Sequence, residues 1–276
     1  FGSTAILNDM TLLGVGSQGI VGAAGGTTTT LGRIGTGYIY ADWNGQIAYT
    51  TPNMNGFQAT LGVMQPWNAT GDSGSITFLL DDGSTSVTRG LNNVSANSAG
   101  TTDEFGLQGQ ASYSWTGDFA GKLWGGVFSQ DVTGIGVANT ESDATAFEVG
   151  VSTSIYNINL VAYGYSGEGV GTTSFGAQGA TTAGSKRDSD GGYVQATYIL
   201  PTKTKVGLAY GISKLDLATG DATTLVKDNE RITLGLYHPL TKHLNLVAEY
   251  NDTSSKNHAN AERDARTGSL GAILFF

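Results

Sequence analysis

The feature that most constrains this chain is an alternation of apolar and polar residues, which recurs from about residue 44 to the last residue. In RITLGLYH, for example, Ile232, Leu234 and Leu236 alternate with polar or small residues. Successive side chains of a β-strand point to opposite faces, so a period of two predicts strands with one apolar and one polar face. The facing of one segment, 120–131, stays open, because Trp124 and Phe128 compete there with Leu123 and Val127.

The pattern predicts eleven strands, at 44–51, 58–67, 103–116, 120–131, 143–156, 158–168, 190–201, 204–217, 228–239, 244–254 and 266–276. Most are longer than the ~5–6 residues of globular strands and near the ~9–11 that cross a bilayer at a tilt. Aromatic residues gather at strand ends, and short turns alternate with long polar loops at 68–101, 132–141, 167–188, 219–227 and 254–264. These features predict an all-β fold, a transmembrane antiparallel β-barrel of the outer-membrane type.

Composition supports the same fold class and excludes several others. Charged residues make up 13% and hydrophobic residues 39% of the chain, and no stretch approaches the ~20 apolar residues of a membrane-spanning helix. The aromatic content argues against disorder, and the absence of Cys excludes disulfides and thiolate chemistry. A net charge of −9 without a basic cluster argues against nucleic-acid binding.

The first part of the chain resembles the middle of the general bacterial porins, through LGRIG at 31–35 and YTTPNMNGFQATLGV at 49–63. The resemblance covers essentially the whole chain and implies one porin domain over 1–276. It places an inward-folded constriction loop at 1–31 and barrel strands and loops at 32–276. It also implies sixteen strands in the full protein, a chain that lacks its N-terminal strands, a homotrimer, and passive diffusion of small hydrophilic solutes and ions through the outer membrane.

The resemblance also assigns candidate residues. Asp9, the sole acid of the expected constriction loop, and Arg33, at the Gly-Arg step, are the candidate constriction charges. So few charges favour a weakly selective pore. Phe276 matches the terminal aromatic residue that the barrel-assembly machinery reads. Alternation adds five lumen candidates, since a Lys or Arg on the lipid face near the midplane costs ~2–4 kcal/mol. They are Glu104, Glu148, Lys205, Arg231 and Glu249.

Other partners follow from the expected location. A barrel in the outer membrane contacts lipid, and its acidic loops could contact lipopolysaccharide or hold a divalent cation. Asp188 and Asp190 in RDSDGG have some character of a calcium loop, but the downstream Glu is missing. No cofactor is expected.

Two alternatives to a general diffusion channel stay open. One is a substrate-specific channel for a sugar or an anion, which inward-facing aromatics such as Tyr193 and Tyr237 would mark. The other is a smaller non-porin barrel, of about twelve strands, with a structural or adhesive role. An enzyme is not expected, because His238, His243 and His258 form no HExxH motif or triad-like run and GRIGTG precedes a strand rather than a helix.

Overall fold

The computed structural model describes residues 1–13, 32–41, 44–67, 74–79, 86–91, 104–135, 140–173, 175–176, 178–181 and 183–276. These ranges contain one short helix and thirteen strands: α1 (Ser3–Asn8), β1 (Gln46–Thr50), β2 (Phe57–Met64), β3 (Gly74–Leu79), β4 (Ser86–Leu91), β5 (Gly106–Trp115), β6 (Phe119–Ile135), β7 (Thr140–Ile155), β8 (Ile158–Glu168), β9 (Asp188–Ile199), β10 (Lys205–Leu215), β11 (Val226–Pro239), β12 (Leu244–Asn257) and β13 (Glu262–Leu274). Within them, no helix combines the length and the hydropathy that a membrane span requires.

Eleven of these strands form one antiparallel sheet in the order β1-β2-β5-β6-β7-β8-β9-β10-β11-β12-β13. Apart from β2, which pairs with β5, each of these strands pairs with the next one along the chain, as in an up-and-down barrel. Among the described residues, β1 and β13 each pair with a single neighbour. The prediction of eleven antiparallel strands is confirmed for this sheet. The strands β3 and β4 pair only with each other and lie inside the loop predicted at 68–101, where Gly, Ser and Asp favour an irregular segment.

Two of the predicted long loops are mostly strand. The strands β6 and β7 reach residues 135 and 140, and β12 and β13 reach residues 257 and 262, so the connections between them are four residues each. The extension of β12, in DTSSKN, is polar on both faces, and the extension of β6, VTGI, carries two apolar residues that do not alternate. The alternation of apolar and polar residues therefore stops before the strands end, which is why the sequence predicted loops there.

The sheet has an apolar outer face and a polar inner face, which reverses the arrangement of a water-soluble protein. On β11, Ile232 and Leu234 are about half exposed on the outer face, whereas Arg231 and Thr233 are buried on the inner face. The uncertain facing of β6 is now assigned: Trp124 and Phe128 point inward and are buried, and their neighbours Leu123 and Val127 point outward. An outer apolar face suits a hydrocarbon environment, and an inner polar face suits a water-filled lumen.

The short turn between β1 and β2 shows how local sequence ends one strand and begins the next. Asn55 and Gly56 both adopt positive φ, at 54° and 96°, and the backbone N–H of Gly56 donates to Oδ1 of Asn53 at 2.8 Å. A Cβ added at Gly56 would lie 2.1 Å from the carbonyl oxygen of Ser114 on β5. Only glycine fits this position, which accounts for the PNMNGF motif.

Candidate pore constriction

Residues 1–13 run across the inner face of the sheet and are held there by two buried carboxylates. Oε2 of Glu148, on β7, accepts hydrogen bonds from the backbone N–H of Gly2 and from the Tyr163 hydroxyl, both at 2.8 Å. Further along the same inner face, Glu249 of β12 accepts from the backbone N–H groups of Leu12 and Leu13 at 2.7 and 2.9 Å. Charge-assisted bonds of this kind compensate the desolvation of a buried carboxylate.

Between these two anchors, β9 and β10 make further contacts with the same segment. Oε1 of Gln195 accepts from the N–H of Met10 at 2.7 Å, and the Tyr193 hydroxyl donates to the carbonyl oxygen of Ala5 at 2.7 Å. Gly207 leaves the space that Met10 fills, since a Cβ at Gly207 would lie 2.3 Å from its sulfur. The inner wall of β9 and β10 is therefore shaped to receive this segment.

The two predicted constriction residues are close together and both are buried. Nε of Arg33 lies 3.5 Å from Oδ1 of Asp9, and their side chains are 0% and 1% exposed. The Tyr38 hydroxyl donates to Oδ2 of Asp9 at 2.7 Å and accepts from the N–H of Arg33 at 2.9 Å. These contacts fix Asp9 against the segment 32–41, which carries both Arg33 and Tyr38.

Arg231 joins this pair from the wall. Nη1 of Arg231 donates to the carbonyl oxygen of Gly32 at 2.6 Å, and its Nε donates to Oγ1 of Thr253 at 3.1 Å. Nη1 of Arg33 donates in turn to the carbonyl oxygen of Arg231 at 3.0 Å. Two guanidinium groups and one carboxylate thus form a buried cluster whose formal charge is +2 − 1 = +1. The sequence placed Arg231 among the lumen candidates but gave no reason to join it to Arg33.

The remaining lumen candidates lie in different surroundings. Lys205 begins β10 on the inner face, and its Nζ lies 4.6 Å from the centre of the Tyr237 ring, a cation–π contact. Glu104 precedes β5 and is exposed. Phe276 follows β13 and is fully exposed on the lipid-facing side of the alternation. Of the five lumen candidates, the structure brings Glu148 and Glu249 to the segment 1–13 and Arg231 to the Asp9–Arg33 pair.

A second loop also folds over the inner face, and the sequence did not predict it. We call the described residues between β8 and β9, which are 169–173, 175–176, 178–181 and 183–187, the inner loop. Its Val170 and Phe175 are buried, and the carbonyl oxygen of Thr173 accepts from the N–H of Tyr40 at 2.6 Å. The only sequence signal is Phe175, a single aromatic residue in a stretch rich in Gly, Ser and Thr.

An ion pair ties the inner loop to the connection between β10 and β11. Nε and Nη2 of Arg187 donate to the two carboxylate oxygens of Asp221 at 2.7 and 2.8 Å. Its Nη1 donates to the carbonyl oxygens of Gln178 and Ala180. The hydrogen bonds from Arg187 lower the pKa of Asp221 below its ordinary value. The paired guanidinium therefore works as a bidentate clamp that holds the inner loop inward.

More aromatic side chains face inward than the two that the sequence suggested. Tyr193 and Tyr237 are buried on the inner face as predicted, and so are four further aromatic residues of β6 and β8: Trp124, Phe128, Tyr163 and Tyr165. A glycine opposite a ring is the signal that could have found them. A Cβ at Gly150 would lie 2.2 Å from the Trp124 ring, so the small residue on β7 makes room for the large one on β6.

The aspartates of the RDSDGG motif lie at the start of β9. Asp190 is 3.9 Å from Nζ of Lys214, and the carbonyl oxygen of Asp188 accepts from the N–H of Asp216. In the described part of the chain, no group of three or more His, Cys, Asp or Glu side chains has the arrangement of a metal site. A loop-bound divalent cation stays an untested prediction.

The inner face therefore has a polar wall and a small cluster of opposite charges. The segments 1–13 and 32–41 and the inner loop lie against this wall and narrow the space inside the sheet. This arrangement contains the elements of a selective aqueous passage, since a pore needs a polar lumen, a constriction and a local field.

Comparisons with known proteins agree with this geometry. A model of the Gram-negative porin family matches residues 1–258, and the search among curated proteins found no match. The structure is similar to the outer membrane channel DcaP of Acinetobacter baumannii, with a TM-score of 0.67 and 14% identity over 94% of this chain and 70% of that chain. It is also similar to the anion-selective porin from Comamonas acidovorans, with a TM-score of 0.50 and 17% identity over 83% and 59% of the two chains.

A third similar structure is Pseudomonas putida OprB, with a TM-score of 0.54 and 9% identity over 86% of this chain and 60% of that chain. At these identities the likeness shows the fold, a transmembrane β-barrel. The chain spans between 59% and 70% of the length of these three structures.

Proposed function

This chain belongs to the Gram-negative porin family, and from that premise we propose that it forms a water-filled channel for the passive diffusion of small hydrophilic solutes and ions. The family and the fold place it in the bacterial outer membrane and point to a channel rather than an enzyme. The observation that carries the proposal is the reversed sheet, with an apolar outer face and polar groups such as Arg231 and Glu249 buried on the inner face.

We assign the constriction to the segment 1–13 together with Arg33 and Arg231. The hydrogen bonds of Glu148 and Glu249 to backbone N–H groups support this assignment, because they hold the segment against the wall at both ends. In the proposed channel, residues 1–31 are the constriction loop and 32–276 the barrel. Residues 14–31 lie outside the described residues, so this boundary rests on the sequence.

The assembly and its partners are proposals of the same kind. A homotrimer, contacts with lipid and lipopolysaccharide, and reading of Phe276 by the barrel-assembly machinery follow from the family. The exposed side chain of Phe276 supports the last of these, since a recognition signal must be accessible before the barrel is complete. A substrate-specific channel stays a second candidate, and the inward-facing aromatics favour it.

The proposal is tested by reconstituting the full chain in planar lipid bilayers. Discrete current steps whose size rises in proportion to the salt concentration are expected, because ions in a water-filled pore move independently. An absence of steps, with protein shown to be inserted by protease protection, would contradict a channel. A conductance that saturates at low salt would instead indicate an ion-binding, substrate-specific pore.

A further inference from the structure

A cavity of about 600 Å³ lies on the inner face of β1, β2 and β5, away from the charged cluster. Its wall is formed by amide and hydroxyl side chains, and two aromatic residues close it at the sides. The lining residues are Phe1, Ser3, Ala41, Asn44, Gln46, Ala48, Thr60, Trp67, Gln108, Gly109 and Gln110. None of these side chains carries a charge, and the volume lies within the ~300–1,000 Å³ of small-molecule pockets.

Part of the cavity wall is formed by small side chains, among them Ala48 on β1. Gly62 on β2 pairs with Ala48 on β1 and with Gln108 on β5, all on the inner face. A Cβ at Gly62 would lie 3.1 Å from the Cβ of Ala48, so Gly62 leaves room for the Ala48 side chain that borders the cavity. The cavity is therefore lined by the longer side chains of Gln46, Gln108 and Gln110 next to small ones such as Ala48.

Two of the amide groups that line the cavity keep unused hydrogen-bonding capacity. Oε1 of Gln46 accepts from Nε2 of Gln108 at 2.5 Å, while Nε2 of Gln46 has no partner among the described residues. Nε2 of Gln110 donates to Oγ1 of Thr4 at 3.0 Å and to Oε1 of Glu148 at 3.3 Å. Oε1 of Gln110 has no hydrogen-bond partner among the described residues. A carboxamide offers two donors and an acceptor with two lone pairs, so this wall can both donate to and accept from a ligand.

The aromatic side of the cavity is rigid. The indole of Trp67 stacks on the ring of Phe175 with 4.7 Å between centroids and lies 5.7 Å from that of Phe128. Phe1 contacts the same two rings at 5.5 and 6.0 Å. Two ring contacts to the indole and two hydrogen bonds between the Trp67 backbone and the Gln130 amide hold Trp67 in place before a ligand arrives, which lowers the ordering cost of binding.

We propose that this cavity is a binding subsite for a neutral saccharide; the inference rests on the proposed channel function and names one class of solute for it. A pyranose presents an apolar C–H face, which stacks on an aromatic ring, and a rim of hydroxyls that both donate and accept. The Trp67 and Phe1 rings would contact the apolar C–H face of the sugar. The side chains of Gln46, Thr60 and Gln110 would hydrogen-bond to its hydroxyl groups. An anionic solute would lose hydration here, and none of the lining residues has a basic side chain to compensate it.

The test measures block of the ion current by maltose added to the full chain in planar bilayers, with calorimetric titration of maltose into the detergent-solubilised protein as a second readout. Saturable block and matching calorimetric affinity are expected. The variants Trp67→Ala and Gln46→Ala should raise the half-blocking concentration at least ~10-fold, equivalent to ~1.4 kcal/mol. Gln58→Ala is the matched control, since Gln58 lies on β2 outside the cavity and donates to the carbonyl oxygen of Thr51. It should leave the block unchanged.

Two further probes separate binding from other effects. Polyethylene glycol of similar size should reduce the current in proportion to its concentration without saturation; block equal to that of maltose would overturn the proposal as mere volume exclusion. Gluconate, a charged relative, should bind at least ~10-fold more weakly than maltose. Normal conductance without saturable maltose block would overturn the subsite and leave the channel intact, whereas a protein that conducts no current would overturn the channel itself.

Discussion

At the scale of single residues, the inner face depends on charged groups that the fold buries and then satisfies. Glu148 and Glu249 are 3% exposed each and accept backbone N–H groups of the segment 1–13. Asp9 is the one carboxylate in direct contact with the guanidinium of Arg33 in the described structure. Each of these carboxylates therefore positions a different part of the constriction.

Replacing Asp9 by Asn should shift the ion selectivity toward anions. The change removes the negative charge of the Asp9–Arg33–Arg231 cluster and raises its formal charge from +1 to +2. The reversal potential in a salt gradient measures this, and a several-fold change in the permeability ratio is expected, because a charge in a narrow, low-dielectric passage acts strongly.

Asp118→Asn is the matched control, since Asp118 is an exposed residue in the turn between β5 and β6. Arg33→Gln should shift the selectivity in the opposite direction. An equal shift with Asp118→Asn would mean that overall charge, rather than the cluster, sets the selectivity.

At the scale of elements, the inner loop and its ion pair form a unit that narrows the lumen. Phe175 packs between Trp67 and Phe128, and Arg187 holds the other end of the loop to Asp221. The loop crosses from β8 and β9 to the region beside β2 and β6. Releasing it should therefore widen the passage.

Breaking the Arg187–Asp221 pair should raise the single-channel conductance. Arg187→Ala removes charge-assisted hydrogen bonds worth ~1.5–3 kcal/mol each at a nearly buried site, so the inner loop should spend more time away from the wall. The control is Lys186→Ala, whose partners Asp143 and Glu168 are about half exposed. Exposed pairs contribute ~0–1 kcal/mol, so this variant should conduct like the parent.

The same pair predicts a pH dependence. Because the Arg187 hydrogen bonds lower the pKa of Asp221 below 3.8, the ion pair is present at neutral pH and is lost as the pH falls through the lowered, folded-state pKa. Conductance attributable to the loop should therefore stay constant down to pH 3.8 and rise only below it. Asp221→Asn should remove this acid response; an unchanged response in that variant would assign it to another group.

At the scale of the whole molecule, stability depends on keeping charge off the outer face. The outward residues Ile232, Leu234 and Leu236 are each about half exposed along the middle of β11. In a bilayer these side chains contact lipid. The inner residues opposite them meet polar groups instead, which is the basis of the reversed arrangement.

Leu234→Lys should destabilise the folded protein in lipid vesicles by ~2–4 kcal/mol, the cost of a basic residue near the midplane on the lipid face. Urea unfolding followed by tryptophan fluorescence measures the change. Ser269→Lys is the matched control, because Ser269 lies on the inner face of β13 and pairs with Glu249. It adds the same charge beside a carboxylate and should cost far less. Equal losses would contradict the assignment of the two faces.

The sequence by itself determined the eleven strands of the main sheet and, apart from β6, their two faces, because an alternation with a period of two is a local property of an extended chain. It identified Glu148, Arg231 and Glu249 as inward-facing for the same reason. What only the tertiary structure decided is which segments lie against that inner face. Arg33 meets Arg231 across 198 residues of chain, and the inner loop is held by Phe175 and Arg187. The Arg33 contact also needs the space left by Gly211, where a Cβ would lie 3.2 Å from Nη1 of Arg33. A glycine of this kind gives no periodic signal, so the contact exists only once the strands have brought distant residues together.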